Sequence, residues 1–523
     1  MHDLLDRRSF VGWTGALAAC AVATKALGAT AGPSAGDAIP GDRIDKAIAR
    51  LDELAAAIMA KTGIPGMAVC VVHGGKTAYS KGFGVRKAGA SQPVDADTVF
   101  QLASLSKSLA ATVVAQQVGK GAVTWDTPVA AKMPWFTLSD PWIGRHVTIG
   151  DMFSHRSGLP DHAGDDLEDF GFDRRTILER LRLLPLHGFR DIYAYTNFGL
   201  TAAAEAVATA AGKDWASLSE EVLYGPLGLS ATSSRFADFE RQPNRAVGHV
   251  RIEGAYRPGP QRMPDPQSPA GGVSSSANDL ARWMAMVLAA GQFEGRRIVP
   301  AQALLPAFSA QMVAAKSATI DALPGLYGYG VGVGVTASGR IEISHSGAFA
   351  LGAATRYAMI PALDIGIIVL TNASPCGGAE TLGREFLDLV EVGSITRDWF
   401  ALINPIFTAM LEPEGDLLGK SPPASAKAAA PLSSYTGTYG NAYFGDVDIA
   451  EAGNGLQLKI GPKASSYPLR HWDGDVFAIA PSSENEADGS LSSVRFVRTE
   501  GAPARELTVD YLDKNGLGRF ERR

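Results

Sequence analysis

Cysteine is scarce in this sequence, since the 523 residues contain only Cys20, Cys70 and Cys376. The three are widely spaced and form no CxxC pair, which excludes a cysteine-ligated metal module or a CxxC redox site. They also exclude a disulfide framework as the basis of the fold, while a single disulfide stays open.

Clusters of positive charge and long apolar runs are lacking as well. The net charge is −6, and no basic stripe marks the chain as a nucleic-acid binder, so we expect no nucleic-acid partner. No segment is long and apolar enough to span a bilayer. The remaining composition, 46% hydrophobic and 20% charged, is that of an ordinary globular protein with roughly two to four domains.

The first 31 residues have the pattern of an export signal. Paired Arg7 and Arg8 precede a short apolar run and then small residues, as in a twin-arginine signal. Cleavage in the run 26–29 would release a periplasmic protein. Alternatively, 17–20 resembles a lipobox, which would make Cys20 a lipid anchor. Both alternatives predict export out of the cytoplasm.

The pattern of hydrophobic residues predicts an α+β domain over 32–400. Strand-like runs and a helix occur at both ends of this region, around a helical middle, so one sheet is expected to be built from both ends. The Pro-, Ala- and Ser-rich stretch 401–430 indicates a linker. Residues 431–523 alternate in short strands with turns, which predicts a small all-β, barrel-like domain.

Ser104 and Lys107 form the only Ser-x-x-Lys in the chain, at a change from strand-like to helix-like sequence. If Ser104 begins a helix, Lys107 lies on the same face one turn later. Burial disfavours the charged ammonium, so a neutral Lys107 amine could take the serine proton. The alternative is a helix cap with a surface lysine.

Two further motifs offer the other groups that such a nucleophile needs. Tyr195 and Asn197, a Tyr-x-Asn, supply a phenol that can relay protons and an amide that can orient the lysine. His345 and Gly347, a His-x-Gly, lie in a strand-like run in which glycine permits close backbone approach. The N–H groups of Ser104 and Ala348 would then form an oxyanion hole.

Each motif is weak alone, because Tyr439-Gly440-Asn441 and His73-Gly74-Gly75 match the same patterns in predicted turns. Their order, however, resembles that of the β-lactamase-related serine hydrolases, which include class C β-lactamases, D-Ala-D-Ala carboxypeptidases, D-aminopeptidases and family VIII esterases. The resemblance extends over about residues 40 to 390, through VFQLASLSKSLAA, VTIGDMFSHRSGLPDH, YTNFGLTAAAEAV, YGPLGLSAT, SPAGGVSSSANDLARW and YGYGVGVG. The C-terminal unit resembles the lipocalin-like β-domain of some members.

The resemblance implies a β-lactamase/transpeptidase-like fold, in which an antiparallel sheet flanked by helices adjoins an all-helical subdomain. It implies that Ser104 is acylated, that Lys107 activates it and that Tyr195 is the acid/base. Asn197 would position Lys107 and the substrate amide. His345 stands where β-lactamases carry lysine, and a mostly neutral histidine suits a substrate carboxylate poorly.

The expected substrate is therefore a small molecule or peptide with an ester or amide bond, rather than a β-lactam. Linearised microcystin is the type of peptide substrate that the resemblance suggests most narrowly. A protein that acylates with little turnover, as a penicillin sensor does, and a cell-wall-binding protein are the alternatives. The oligomeric state is left open.

A cluster of histidines and acids raises the question of a metal. It comprises His155, Asp161, His162, Asp165 and Asp166. The spacing lacks a tight ligand motif such as HExxH, so hydrogen-bonding loop residues are the expected explanation, with no metal and no cofactor.

Overall fold

The structure is a computed structural model that describes residues 38–523. The chain divides into two compact units. The first comprises the residues up to Pro134 together with Arg145–Asp161 and Gly188–Met410, and the second comprises Trp135–Gly144, His162–His187 and Leu411–Arg523. The predicted export signal and Cys20 lie outside the described residues.

The α-helices of the described chain are mostly short. They are α1 Arg43–Ala49, α2 Leu51–Thr62, α3 Ser106–Gly119, α4 Val129–Lys132, α5 Pro141–His146, α6 Ile149–Phe153, α7 Asp165–Asp169, α8 Arg174–Arg180, α9 Asn197–Ala211, α10 Trp215–Ser219, α11 Gly225–Leu227, α12 Phe236–Arg241, α13 Ser268–Gly271, α14 Ala277–Leu288, α15 Ala301–Leu304, α16 Gly378–Glu391 and α17 Trp399–Ala409. One-turn 3₁₀ helices occur at Ala103–Leu105, Leu181–Leu183, Asp265–Gln267, Pro361–Leu363, Leu432–Ser434 and Asp510–Leu512, and a π-helical turn at Glu220–Tyr224.

The strands are β1 Gly66–His73, β2 Lys76–Gly84, β3 Phe100–Gln101, β4 His249–Ile252, β5 Ala255–Pro258, β6 Ser274–Ser275, β7 Gln292–Phe293, β8 Arg296–Arg297, β9 Met312–Ala315, β10 Gly325–Tyr327, β11 Gly332–Val335, β12 Ile341–Phe349, β13 Ala353–Ile360, β14 Ile365–Thr371, β15 Gly437–Asn441, β16 Gly445–Ala452, β17 Gly455–Ile460, β18 Ser465–Asp473, β19 Val476–Ile479, β20 Ser492–Val497, β21 Glu506–Val509 and β22 Arg519–Arg522.

An eight-stranded antiparallel sheet organises the first unit, in the order β2-β1-β14-β13-β12-β11-β10-β9. β1 pairs directly with β14, so the two ends of the domain meet within one sheet, as predicted from the sequence. The predicted hairpin is confirmed too: β1 and β2 are joined by Gly74 and Gly75, both at positive φ. Glycine adopts that conformation without a steric cost.

The two faces of the sheet bury different partners because side chains alternate along each strand. On one face, Val69 and Val71 pack in a core with Leu54 of α2 and Phe386 of α16. On the other face lies Tyr357 of β13, which contacts Trp283 of α14 edge-on and donates a hydrogen bond to Ser108 of α3. The helix α3 that follows Ser104 is therefore packed directly on the central strands.

A closed eight-stranded barrel, β15 to β22, dominates the second unit and confirms the predicted all-β C-terminus. Its interior is filled by buried aromatic and aliphatic side chains, among them Tyr435, Tyr439, Phe477 and Phe496 in mutual ring contact. A barrel of eight strands is just wide enough for side chains to fill it.

Chain from the predicted hydrolase region also belongs to the second unit. The side chain of Arg180 donates to Tyr443 O at 2.6 Å, and Asp169 accepts from Ser483 at 2.6 Å and from Asn485 at 2.9 Å.

The start of the predicted linker 401–430 is helical, since α17 extends to Ala409. Its apolar side chains Trp399, Ile403 and Phe407 cluster at helical spacing. Within 38–523, no helix is long and apolar enough to cross a membrane.

A buried ion network lies on the α16 side of the sheet. Glu342 of β12 accepts from Arg356 of β13 at 3.0 Å and from Arg384 of α16 at 2.5 Å, and it is 3% exposed. Arg356 and Arg384 both pair with this one carboxylate, so it compensates charge on both arginines. The network therefore ties β12 and β13 to the helix behind them.

Replacing Glu342 by glutamine is expected to lower the free energy of unfolding by about 3 kcal/mol, because it leaves buried arginine charge uncompensated. Denaturant unfolding followed by tryptophan fluorescence measures the change. Glu53→Gln is the matched control, since Glu53 pairs with Arg50 on the surface of α2 and should cost less than about 1 kcal/mol. Equal losses in the two variants would contradict the structural role of the network.

Candidate active site

Ser104 lies in a 3₁₀ turn, Ala103–Leu105, and not at the first turn of an α-helix. Helix α3 begins at Ser106, so the expectation that Ser104 itself begins a helix is corrected by two residues. Ala103 has φ +49, a left-handed conformation that costs about 1 kcal/mol or more for a residue with a Cβ. The chain thus turns sharply immediately before Ser104.

Hydrogen bonds from three segments hold this turn. The Leu102 carbonyl accepts from Thr355 Oγ1 of β13 at 2.7 Å, and Leu102 N–H donates to Val273 O at 2.9 Å. Ser106 Oγ donates to Ala103 O and accepts from the N–H of Val273. The strained residue is therefore over-determined by its surroundings, which is the condition under which such strain persists.

Lys107 is completely buried, and its Nζ has three hydrogen-bond partners: Ser104 Oγ at 3.0 Å, Asn197 Oδ1 at 2.7 Å and Ala270 O at 3.0 Å. Two of these are carbonyl oxygens, which can only accept. A neutral amine has two N–H groups and one lone pair. If the carbonyls take both N–H groups, the lone pair is left for Ser104, whose hydroxyl can donate.

Tyr195 and Asn197 reach the same centre from the segment that opens α9. The Tyr195 hydroxyl donates to Ser104 Oγ at 2.8 Å, and its ring centroid lies 4.5 Å from Lys107 Nζ. The structure therefore brings together the Ser-x-x-Lys and Tyr-x-Asn motifs that the sequence singles out.

His345 is buried in β12 with both ring nitrogens engaged. Nδ1–H donates to Ser346 O at 2.7 Å, so Nε2 is the acceptor for the Tyr327 hydroxyl at 2.8 Å. Burial, reinforced by the positive charge of Lys107, lowers the pKa of His345 to about 3. The ring is therefore neutral at physiological pH and carries no charge for a substrate anion.

Gly347 and Ala348 continue β12 beside the Ser104 turn. A Cβ on Gly347 would lie 2.2 Å from Leu102 O and 3.1 Å from Ser104 N, so glycine is what lets the strand approach. β11 pairs only with Ile341–Ser344, which leaves the edge of β12 from His345 onward without a β11 partner. This edge runs past Ser104.

The competing motifs lie elsewhere. His73 ends β1, and Tyr439 to Asn441 lie in barrel strand β15 instead of the predicted turn. His162 Nδ1 hydrogen-bonds Asp165 Oδ2 at 2.8 Å in the second unit, whereas His155 and Asp161 belong to the first. The described residues contain no group of three or more acids, histidines or cysteines arranged to hold a metal ion.

Two partners in the site were not predicted from the sequence. Ala270 O accepts a hydrogen bond from Lys107 Nζ, and the Tyr327 hydroxyl donates one to His345 Nε2. A main-chain carbonyl leaves no mark in the residue type, so no signal could have identified Ala270. Tyr327 and Ala270 do lie in the family-like stretches YGYGVGVG and SPAGGVSSSANDLARW.

The sequence that contains the site matches a known protein family. The profile of the family described as Beta-lactamase matches residues 51–390, about two thirds of the chain, and includes every site residue above. The chain belongs to the β-lactamase family. A second profile, a domain of unknown function (DUF3471), matches residues 421–515 and covers most of the barrel.

Relatives within the family carry several activities. Unguisins hydrolase ungD' of Aspergillus campestris is 29% identical over 265 residues, 47% of this chain and 48% of that protein. The D-alanyl-D-alanine-carboxypeptidase/endopeptidase AmpH of Escherichia coli K12 is 24% identical over 345 residues, 65% of this chain and 88% of AmpH. Esterase EstB of Burkholderia gladioli is 29% identical over 273 residues, 45% and 68% of the two chains. The match thus spans about half of the unguisins hydrolase.

Solved structures of the same fold include the octameric penicillin-binding protein homologue from Pyrococcus abyssi. It superimposes with a TM-score of 0.58 at 19% identity, over 90% of this chain and 99% of that one. This similarity confirms the β-lactamase/transpeptidase-like fold that the sequence resemblance implied.

The contact between β12 and the Ser104 turn generates a first test. Gly347→Ala is expected to lower the rate at which a fluorophosphonate labels Ser104 by about 100-fold, because the new methyl group displaces the turn. Mass spectrometry of the labelled peptide follows the rate. Gly334→Ala in β11 is the control, since its Cβ would meet only Glu342 O, at 4.0 Å, and labelling should stay near wild type.

The neutral His345 generates a second test, in the pH dependence of stability. The unfolded histidine takes up a proton near its ordinary pKa of 6.5, whereas the folded one does so only near 3. The unfolded state therefore binds more protons between these values, and this residue makes stability fall as pH falls from 6.5 towards 3.

We expect His345→Gln, which retains an acceptor for Tyr327, to lose less unfolding free energy than wild type between pH 7 and pH 4.5. Denaturant midpoints at the two pH values measure this difference. The exposed His187→Gln should reproduce the wild-type pH dependence. If His345→Gln loses more unfolding free energy than wild type between pH 7 and pH 4.5, the buried ring takes up its proton readily and the prediction is wrong.

Proposed function

We propose that this protein is an exported serine hydrolase that cleaves an ester or amide bond through an acyl-enzyme on Ser104. The observation that carries the proposal is the convergence of Lys107 Nζ, at 3.0 Å, and the Tyr195 hydroxyl, at 2.8 Å, on Ser104 Oγ. Ser104 is half-buried while Lys107 and Tyr195 are buried, so the nucleophile is the member that a substrate can reach.

Acylation begins when the Lys107 amine takes the proton of the Ser104 hydroxyl. Ser104 Oγ then forms a bond to the substrate carbonyl carbon, and the carbonyl oxygen becomes an oxyanion. The N–H groups of Ser104 and Ala348 are the proposed donors to that oxyanion. One such donor contributes about 3–4 kcal/mol to the transition state in comparable sites.

Departure of the leaving group requires a proton, and Tyr195 is the proposed source. Its phenol protonates the leaving oxygen or nitrogen as the bond to the carbonyl carbon breaks, and the Lys107 ammonium stabilises the resulting phenolate. In deacylation, the phenolate takes a proton from a water that attacks the acyl carbon. Lys107 returns its proton to Ser104 Oγ. Asn197, which accepts from Lys107 Nζ, holds the amine in place throughout.

The chemistry of His345 supports esters or peptides over β-lactams as substrates. A neutral ring whose two nitrogens are engaged by Ser346 and Tyr327 provides little attraction for the carboxylate of a β-lactam. The names of the relatives, a carboxypeptidase/endopeptidase, an esterase and unguisins hydrolase, agree with ester and amide substrates. A linear peptide hydrolase of the linearised-microcystin type is the narrowest form of this proposal.

A substrate panel on the purified protein tests the proposal. We expect turnover of short-chain p-nitrophenyl esters or of linear peptides and amino-acid amides, with little hydrolysis of the β-lactam nitrocefin. Ser104→Ala should lose nearly all activity, by about 10³-fold or more, with an unchanged circular dichroism spectrum. Ser309→Ala, a change of another half-buried serine, is the control. Substantial activity in Ser104→Ala would end the proposal.

Two further measurements separate the alternatives. If incubation with a substrate of the panel adds a mass to Ser104 that persists without turnover, the protein is a penicillin sensor instead of a hydrolase. Binding of the full-length Ser104→Ala protein to insoluble peptidoglycan, in the absence of any hydrolysis by wild type, would favour a cell-wall-binding protein.

A further inference from the structure

A single loop accepts three consecutive backbone N–H groups around Tyr195. Residues 155–161, here called the clamp loop, provide His155 O for Ala194 N–H at 2.9 Å and Asp161 Oδ1 for Tyr195 N–H at 2.5 Å. His155 Nδ1 accepts Thr196 N–H at 3.1 Å. Residues 194–196 precede α9 and therefore have no helical partners for these groups. The clamp loop provides the acceptors that the helix lacks for these three N–H groups.

The His155 side chain also packs against the Tyr195 side chain. The two ring centroids are 4.4 Å apart, and the buried His155 ring contacts Tyr327, the donor to His345, at 5.1 Å. His155 itself has φ +56, an uncommon conformation for a residue with a Cβ. The loop is thus bent so that both the backbone carbonyl and the ring of His155 face the Tyr195 segment.

The clamp loop is anchored at its base by a buried carboxylate. Asp151 Oδ1 accepts from Arg156 at 2.8 Å, and Asp151 Oδ2 accepts from Arg190 at 2.8 Å. The Arg190 N–H donates to Arg156 O at 2.9 Å. Asp151 also closes a capping box with Thr148 at the start of α6. Charge-assisted bonds of this kind resist rearrangement, so the loop is a rigid support.

We propose that the clamp loop, through His155 and Asp161, is the positioning element that holds the Tyr195 phenol on Ser104 Oγ. The inference rests on the function proposed above. A rotation of the Tyr195 backbone is magnified along its side chain, and a displacement of 1 Å at a reacting group reduces rates by about 100-fold. In this proposal His155 and Asp161 act on the reaction through the Tyr195 segment, so they are positioning residues.

Two esters with the same acyl group separate positioning of Tyr195 from a general structural defect. Ethyl butyrate releases ethoxide, which needs a proton from Tyr195, whereas p-nitrophenyl butyrate releases a stable phenolate that needs none. For both esters kcat/KM reports acylation. Hydrolysis of ethyl butyrate is followed by pH-stat and that of p-nitrophenyl butyrate by absorbance, both at a temperature well below the melting temperature of the protein.

His155→Phe retains a ring but removes the acceptor for Thr196 N–H. We expect its kcat/KM for ethyl butyrate to fall by about 100-fold, and that for p-nitrophenyl butyrate by less than about fivefold. His249→Phe is the matched control, because His249 is a buried histidine whose Nε2 accepts Ala88 N–H at 2.9 Å, remote from Tyr195 in sequence. It should leave the ratio of the two rates unchanged.

A second pair of variants decides the matter if His155→Phe fails to fold. Asp161→Asn retains an acceptor for Tyr195 N–H and should keep about ten times more ethyl butyrate activity than Asp161→Ala.

Equal losses on both esters in His155→Phe and in Asp161→Ala, or the same change of ratio in His249→Phe, would overturn the positioning role. Failure of the proposed function has a different signature: wild type hydrolyses no ester, peptide or amide of the panel, or Ser104→Ala hydrolyses ethyl butyrate as wild type does. If wild type hydrolyses only amides, the same comparison is made between an amino-acid amide, whose amine leaving group needs a proton, and its p-nitroanilide.

Discussion

The hydrogen bonding of one buried amine organises the site. Lys107 Nζ is held between Asn197 Oδ1 and Ala270 O, two acceptors on different helices. These two hydrogen bonds direct a third hydrogen-bonding position of Nζ at Ser104 Oγ. An ammonium in this place is stabilised by the carbonyls, and an amine is oriented by them. Both protonation states therefore keep the same geometry, which is what a group needs if it is to take a proton and return it without moving.

Strand β12 serves two purposes because its side chains alternate between two environments. His345 and Gly347 face the Ser104 turn, where a neutral ring and a missing Cβ allow close approach. Glu342 and Ser346 face α16, where they bind Arg356 at 3.0 and 3.4 Å. The charged network thus lies on the α16 side of the strand, and it stiffens the strand without adding a cation to the face that carries His345 and Gly347.

The sequence alone could indicate that Ser104, Lys107 and Tyr195 meet in one place, because the proposed roles demand particular residue types in a particular order. It also predicted the sheet built from both chain ends and the C-terminal barrel, since alternation and turn residues are local signals. It could not predict the main-chain partner Ala270 O, nor the 3₁₀ turn at Ser104, because any residue has a carbonyl and the turn is imposed by β13 and Val273. His155 and Asp161 were visible only as a polar cluster.

Two of the strained residues of the first unit, Ala103 and His155, lie beside the proposed catalytic groups. Ala103 at φ +49 precedes Ser104, and His155 at φ +56 packs against Tyr195, so each of these two side chains follows or contacts a backbone bend. Neither bend is stabilised by its own residue type, since neither is glycine. Each persists because neighbouring segments accept or donate the freed backbone hydrogen bonds. Rigidity at Ser104 and Tyr195 is therefore a property of the surrounding elements, and a change in a supporting loop can alter the chemistry without touching a catalytic residue.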